Sequence, residues 1–249
     1  MKPVRHLFVA GTADDVAREA ASRFVEAASR AISERGRFSV ALSGGSTPRR
    51  LYALLTQPPY LHAVDWSRVC LFFADERYVP PEHPDSTLRL VRETLLAGAP
   101  VPPDNVFPMP TQGGSPEEDG ATYAATLEHF FGAPRPAFDL MLLGMGPDGH
   151  TASLFPGHRD HPGLVAAIHD SPKPPPVRLT LTLDAIEHAR AILFLVTGAD
   201  KALALKTVFE TKTREPSALP ASRVMAADGQ TFWLVDREAG ARILEYASA

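Results

Sequence analysis

Cysteine is almost absent from this chain of 249 residues, in which Cys70 is the single example. One thiol cannot build an internal disulfide framework, and low cysteine use is typical of a reducing compartment. Long apolar runs are also missing, since no stretch approaches the roughly 18 apolar residues that a membrane-spanning helix needs. The first ten residues lack the apolar region and cleavage site of a secretory signal. We therefore expect a cytoplasmic protein with no membrane partner.

Positive charge is scarce as well, with 25 Lys and Arg against 29 Asp and Glu and a net charge of −4. This balance argues against a nucleic-acid partner, and an anionic substrate would need a local group of basic residues. The length and the 45% hydrophobic content suffice for one substantial core. Because no repeat or long linker divides the chain, we predict a single domain over residues 1–249. We expect a monomer or a small homo-oligomer.

Apolar spacing alternates along the chain between the strand and helix types. Helices are predicted at 14–35, 48–55, 86–96, 116–131, 200–209 and 237–246. Strong strands are predicted at 38–42, 69–74, 138–143 and 191–196, a last strand at 231–235, and weaker ones at 165–168 and 179–183. Alternation of this kind predicts an α/β fold with a mostly parallel, doubly wound, Rossmann-like sheet covered by helices on both faces. A closed eight-stranded barrel is the alternative, but it needs more regular repeats than the chain offers.

Polar motifs follow the carboxyl ends of the four strong strands. They occupy residues 43–48, 75–77, 144–150 and 197–201. In an open parallel sheet all carboxyl ends lie along one edge, where ligands bind. We therefore expect these four segments to meet at one cleft, although they are far apart in sequence.

The first motif combines glycines with hydroxyl side chains at a strand-to-helix turn: Ser43, Gly44, Gly45, Ser46 and Thr47. Glycine allows close approach of the backbone, and unpaired N–H groups at a helix start favour an anion, which predicts phosphate binding. A tight turn with a hydroxyl cap is the structural alternative. The turn is not a P-loop, because the Gly-Lys-Ser/Thr ending is missing. A variant nucleophile elbow with Ser43 as nucleophile is a further alternative.

The third motif ends in Asp148-Gly149-His150. A neutral imidazole can accept a proton from water, and a nearby carboxylate can orient it, so His150 and Asp148 are the predicted catalytic pair. The run 144–149 also matches the dinucleotide fingerprint, with Asp170 about 20 residues on. That motif must open a long helix, which Pro156 would cut short. We therefore regard the match as a coincidence.

Metal-ligand spacing is not recognisable among the histidines His150, His158, His161 and His169, and no metal is predicted. Cations that could bind a phosphate near the motifs are Arg77, Arg178 and Lys201.

Together these motifs closely resemble the 6-phosphogluconolactonase family. The resemblance rests on residues 43–48, 75–79, 83–86, 143–157 and 197–201, and the Gly-His-Thr-Ala-Ser-Leu-Phe-Pro-Gly run at 149–157 is its most specific part. It implies a modified doubly wound fold and hydrolysis of the lactone in the second step of the pentose phosphate pathway. The implied substrate is a phosphorylated sugar lactone, with no cofactor. It also implies that Asp75 lies at the substrate site.

Glucosamine-6-phosphate deaminases of the same superfamily are the alternative. They share the Ser-Gly-Gly turn, the Asp-Glu segment, the Asp-Gly-His turn, and the cations matched here by Arg178 and Lys201. Asp75 matches their proton-abstracting Asp and therefore does not discriminate. Phe155 stands where a deaminase has a Glu that helps to open the sugar ring. Arg77 stands where a deaminase typically has an aromatic residue. Both differences favour the lactonase. Sugar-phosphate sensing domains of transcription regulators are a non-enzymatic alternative. The roughly 35 residues before the first strong strand are expected to be too few for their DNA-binding segment.

Overall fold

The structure is a computed structural model that describes residues 5–133, 135–211 and 218–247. The strands in this part of the chain are β1 (Arg5–Ala10), β2 (Phe38–Leu42), β3 (Val69–Phe73), β4 (Asp75–Arg77), β5 (Leu140–Gly144), β6 (Val165–Ile168), β7 (Arg178–Leu181), β8 (Ala191–Val196) and β9 (Gln230–Asp236). The helices are α1 (Ala13–Arg35), α2 (Ser46–Leu55), α3 (Tyr60–Ala63), α4 (Thr87–Thr94), α5 (Pro116–Phe131), α6 (Leu183–Glu187), α7 (Ala202–Glu210), α8 (Pro220–Arg223) and α9 (Arg237–Ala247).

Six parallel strands form the central sheet in the order β1-β9-β8-β5-β2-β3. Strands β2 and β3 are buried along their whole length, because helices cover both faces of the sheet and exclude water from every side chain. The predicted α/β fold with a mostly parallel sheet is confirmed. None of the helices in the described ranges has the length and apolar character needed to cross a bilayer.

Helix boundaries follow capping residues in the sequence. Thr12, Ser86 and Ser115 each precede a helix and accept a hydrogen bond from a backbone N–H of its first turn. Helix α1 ends at Arg35, as predicted, and Gly36 follows it in the left-handed conformation. Helix α2 is different, because no side chain caps its first turn. Its first N–H groups therefore remain available for a ligand.

A second sheet, antiparallel and of order β4-β7-β6, was not predicted. The sequence analysis gave no pairing for the weak strands at 165–168 and 179–183 and placed no strand at residues 75–77. The chain leaves β3 at Ala74, whose carbonyl accepts a hydrogen bond from the Leu181 N–H at 2.8 Å, and pairs at once with β7. The register places Arg77 opposite Arg178. This small sheet thus brings two predicted cations to the edge of the central sheet.

Strand β1 was also missed by the sequence analysis. It is an edge strand beside β9, and most of its residues are at least partly exposed. An edge strand of this kind carries neither a continuous apolar run nor a strict alternation, which are the patterns by which strands are recognised in a sequence.

Candidate active site

A cavity of about 450 Å³ opens at the carboxyl ends of β2, β3, β5 and β8. Because these four strands carry the polar motifs and the order β8-β5-β2-β3 makes them neighbours, the motifs meet there. The cavity is lined by ten of the predicted residues: Ser43, Gly44, Gly45, Ser46, Thr47, Asp75, Arg77, His150, Arg178 and Lys201. Asp148, the remaining predicted residue, contacts the cavity wall through His150.

His150 and Asp148 form a hydrogen-bonded pair, with 2.5 Å between Nδ1 and Oδ1. Burial lowers the pKa of His150, and this outweighs the opposing effect of the Asp148 carboxylate. Burial raises the pKa of Asp148, but the hydrogen bonds and charge of His150 together with the charge of Lys173 outweigh it and leave that pKa below its ordinary value. Near neutral pH the pair therefore consists of a carboxylate and a neutral imidazole. The carboxylate holds the proton on Nδ1, which leaves Nε2 as the basic nitrogen.

The turn before His150 depends on Gly146. The Gly146 N–H donates to the His150 carbonyl at 2.9 Å, and the Gly149 N–H donates to the Gly146 carbonyl at 3.0 Å. This tight turn folds the imidazole back over Gly146, so that a Cβ at this position would overlap the ring. The chain then continues into a bridge between Thr151 and Leu154. No helix follows, so the match to the dinucleotide fingerprint lacks its structural context.

The glycine turn differs in part from its prediction. Ser43 is buried, and its hydroxyl donates to the Leu142 carbonyl at 2.8 Å. Because this hydroxyl proton is already donated to a backbone carbonyl, the Ser43 side chain is suited neither to act as a nucleophile nor to donate a hydrogen bond to a phosphate. A Cβ at Gly44 would lie 2.8 Å from Arg77 Nη1 and from Thr87 Oγ1, which explains the second residue of the motif. The first-turn N–H groups of Ser46 and Thr47 remain as anion donors.

Arg77 and Arg178 face each other across the β4–β7 pair. Like charges placed opposite one another in a sheet repel, and an anion between them would offset this repulsion. The Arg77 Nε is buried and lacks a hydrogen-bond partner among the described residues. Because Arg77 also lines the cavity, its guanidinium can offer a hydrogen bond to a ligand oxygen there.

Arg178 also orders a proline-rich loop that the sequence analysis left without a role. Its Nε donates to the Pro175 carbonyl at 2.8 Å, and its Nη2 to the Lys173 and Pro174 carbonyls at 3.1 Å. These bonds place Lys173 in the cavity wall, with its Nζ 3.9 Å from Asp148 Oδ1. Lys173 is therefore a site cation that the sequence analysis missed. Its position depends on Arg178, and no motif marks it.

Lys201 also lines the cavity, in the segment that follows β8. Its Nζ donates to the Asp200 carboxylate at 2.6 Å, and only about 20% of its side chain is exposed. Within the described ranges, no three His, Cys, Asp or Glu side chains come together as ligands for a metal ion. The cavity wall thus holds Arg77, Lys173, Arg178 and Lys201 in a chain whose net charge is −4. Such a local reversal of charge favours an anionic substrate.

Comparison with known proteins adds a decisive observation. The family model described as glucosamine-6-phosphate isomerases/6-phosphogluconolactonase matches residues 11–233. The chain belongs to this family. A 6-phosphogluconolactonase of Synechocystis is 42% identical over 217 residues, which are 85% of this chain and 87% of the relative. A Rattus norvegicus 6-phosphogluconolactonase is 44% identical over 218 residues, with 84% and 82% covered. The resemblance found in the sequence is confirmed.

Solved structures support the same assignment. The structure of 6-phosphogluconolactonase from Trypanosoma cruzi matches with a TM-score of 0.84 and 28% identity, covering 98% of each chain.

The family fold in this chain is stabilised around the site by buried carboxylates that were not predicted. Glu76 accepts hydrogen bonds from the Thr87 and Leu88 N–H groups at 2.7 and 2.8 Å and so fixes α4 beside Arg77. Asp236 accepts from the Gly198 N–H at 3.1 Å and fixes the loop before Lys201.

The two activities named in the family description differ in the acid–base groups they need. Phe155 lies beside His150, with 4.9 Å between ring centroids, and is buried in the cavity wall. An aromatic ring can pack against the imidazole but cannot exchange a proton. Asp75, in turn, accepts a hydrogen bond from the Ser153 hydroxyl at 2.8 Å. The site thus has the His150–Asp148 pair, the Asp75 carboxylate and a set of cations, and Phe155 in place of a further carboxylate beside His150.

Proposed function

We propose that this protein hydrolyses the lactone ring of 6-phosphogluconolactone, with His150 as the base that activates water. The observation that carries this proposal is the His150–Asp148 pair at the wall of a cavity with four cationic side chains. The relatives named 6-phosphogluconolactonase support the same reaction.

From the single Cys70 we further propose a cytoplasmic location. From the undivided chain we propose that the protein forms one domain.

Binding begins with the phosphate group of the substrate. We place it at the uncapped start of α2, where the Ser46 and Thr47 N–H groups favour an anion. Lys201 and Arg178 supply the balancing charge. A phosphate fixed at this wall leaves the sugar ring to extend across the cavity toward His150, which brings the lactone carbonyl within reach of an activated water.

Hydrolysis follows from the protonation states of the pair. His150 Nε2 takes a proton from water, and the water oxygen forms a bond to the lactone carbonyl carbon. The carbonyl oxygen becomes an oxyanion, to which the Arg77 guanidinium in the cavity wall can donate a hydrogen bond. The bond from this carbon to the ring oxygen then breaks, and His150 returns its proton to the departing oxygen. Asp148 stabilises the transient imidazolium.

Phe155 is our reason for preferring the lactonase over the deaminase. In the deaminases a Glu works with the histidine to open the amino-sugar ring, whereas Asp75 matches their proton-abstracting Asp and does not discriminate between the two activities. Phe155 occupies the neighbouring position and offers no carboxylate. Lactone hydrolysis requires only one base, which this site has.

The direct test is an assay of three substrates in parallel. Purified protein is mixed with fresh 6-phosphogluconolactone, glucosamine 6-phosphate or unphosphorylated gluconolactone, and acid or ammonia release is followed above the spontaneous rate. We expect fast hydrolysis of the phosphorylated lactone alone. Ammonia from glucosamine 6-phosphate would assign the deaminase activity instead, and turnover of none of the three would leave a sugar-phosphate sensor.

Replacing Lys201 with alanine should raise KM and leave kcat nearly unchanged, because Lys201 binds a phosphate that does not react. A hydrogen bond to a charged group contributes roughly 1.5–3 kcal/mol, so KM should rise about 10–100-fold. Steady-state kinetics on the phosphorylated lactone measures both constants. Lys206→Ala, which removes a cation paired with Glu210 outside the cavity wall, is the control and should change neither. A fall in kcat at constant KM would place Lys201 in the chemical step.

Replacing Lys173 with methionine should move the acid limb of the pH profile of kcat/KM to higher pH. The positive charge of Lys173 lowers the pKa of His150, so its removal raises that pKa and a higher pH is then needed to keep the base neutral. Lys173→Arg retains the charge and should keep the limb in place. An unchanged limb in the methionine variant would show that this charge does not act on His150.

A further inference from the structure

A second cavity, of about 520 Å³, lies at the opposite edge of the central sheet. Residues that directly precede β2, β5 and β8 contribute to it: Arg37, Asp139 and Arg190. Because the strands are parallel, their amino ends meet at the edge that faces away from the candidate active site. Arg35 and Arg135 complete the polar part of the wall, which we call the arginine cavity.

Asp139 forms the buried floor of the arginine cavity, and its carboxylate is already satisfied. One oxygen accepts from the Ser39 N–H and hydroxyl, both at 2.8 Å. The other accepts from Arg35 Nε at 2.8 Å and lies 3.6 Å from Arg190 Nε. Asp139 thus joins the starts of β2 and β5 and needs no further partner.

Arg37 is fixed in the wall without any acidic partner among the described residues. Its guanidinium lies over the Phe130 ring, 4.0 Å from the centroid, and Nη2 donates to the Phe130 carbonyl at 3.0 Å. An arginine positioned in this way loses little conformational freedom when it binds an anion. Its other donors remain available to the cavity.

The charge of the wall is strongly unbalanced, with four arginines against the single carboxylate of Asp139. Two acids touch the arginines from outside the wall. Glu34 pairs with Arg35, and Asp184 lies 3.7 Å from Arg135 with about half of its side chain exposed to solvent. Even when both of these acids are counted with Asp139, the four arginines exceed the three carboxylates, so the wall keeps a net positive charge.

We propose that the arginine cavity binds a small organic anion that carries at least two phosphate or carboxylate groups. The planar guanidinium fork matches such groups, and the arginines come from three separate segments, so one monovalent ion cannot contact all of them. The volume is in the range of sites for small molecules. Phe131 and Ala137 provide an apolar side for the carbon part of the ligand. This site does not depend on the proposed reaction.

Calorimetric titration of the full chain with tripolyphosphate tests the proposal, with citrate in a second arm and inorganic phosphate in a third. We expect saturable binding of at least one of the two multivalent anions, at least about tenfold tighter than that of inorganic phosphate. Tight binding of tripolyphosphate alone would identify phosphates as the ligand groups. Tight binding of citrate alone would identify carboxylates.

Arg37→Gln and Arg135→Gln are the test variants, because neither side chain touches Asp139 and the buried carboxylate therefore keeps its partners. Each should weaken binding by roughly tenfold or more. Arg30→Gln, an exposed position on α1 with the same change in net charge, should keep binding within about twofold. Lys201→Gln should keep this binding event, since that change affects only the candidate active site, where a separate anion-binding event would be weakened.

Two results would overturn the proposal. One is equal binding by wild type, Arg37→Gln and Arg135→Gln. The other is loss of binding in Lys201→Gln alone, which would place the anion at the candidate active site.

Discussion

Replacing His150 with alanine should lower kcat for 6-phosphogluconolactone by about 10²–10⁴-fold with little change in KM. This range is the usual contribution of a general base, and His150 is the group in the cavity wall whose geometry and pKa suit that role. Its Nδ1 is held by Asp148, and burial keeps the imidazole neutral. The phosphate contacts lie elsewhere in the cavity, so the variant should still bind substrate. Steady-state kinetics above the spontaneous rate measures the effect.

The pH dependence of the wild-type reaction gives a second readout of the same group. The base works only when neutral, so kcat/KM should fall as the pH drops through the pKa of His150. Because burial lowers that pKa from 6.5, the acid limb should lie below pH 6.5. His169→Ala is the matched control, since His169 is exposed and pairs with Glu117 outside the cavity. Near-normal turnover in His150→Ala would show that another group activates the water.

The parallel sheet and its functional edge could be predicted because β2, β3, β5 and β8 are short, continuous apolar runs followed at once by polar motifs. Burial on both faces imposes this pattern on the sequence. The small sheet could not be predicted in this way. Strand β4 has three polar residues, Asp75, Glu76 and Arg77, and it forms only because β7 lies beside it. Its pairing is a tertiary contact that leaves no local periodicity.

The prediction of the candidate site from the sequence was limited in the same way. The motifs predicted which segments meet, but they did not indicate which atoms are already engaged. The Ser43 hydroxyl is bound to the Leu142 carbonyl, a partner 99 positions away in the chain. Lys173 reaches the cavity because Arg178 binds the carbonyl groups of its loop. Both facts depend on how separate segments pack, and a pattern within one segment contains no information about them.

Replacing Gly146 with alanine should reduce kcat by roughly 100-fold while the protein stays folded. The added methyl group would overlap the His150 ring and approach the Asp148 carboxylate, so the imidazole must move. A displacement of about 1 Å in a catalytic group can cost about 10²-fold in rate. The backbone at Gly146 lies outside the left-handed region, so alanine adds no conformational strain there. The loss should therefore come from the position of His150.

Gly144→Ala is the matched control, because it adds the same methyl group two residues earlier. Its backbone is also outside the left-handed region, and no atom lies within 4 Å of the new Cβ. Gly144 lines the cavity, so the comparison is made on kcat alone, which should stay within about threefold of wild type because His150 keeps its place. Thermal unfolding of both variants separates catalytic from structural effects. Equal kcat in Gly146→Ala and Gly144→Ala would mean that the imidazole does not need the position over Gly146, and the assignment of His150 Nε2 as the base would lose its geometric support.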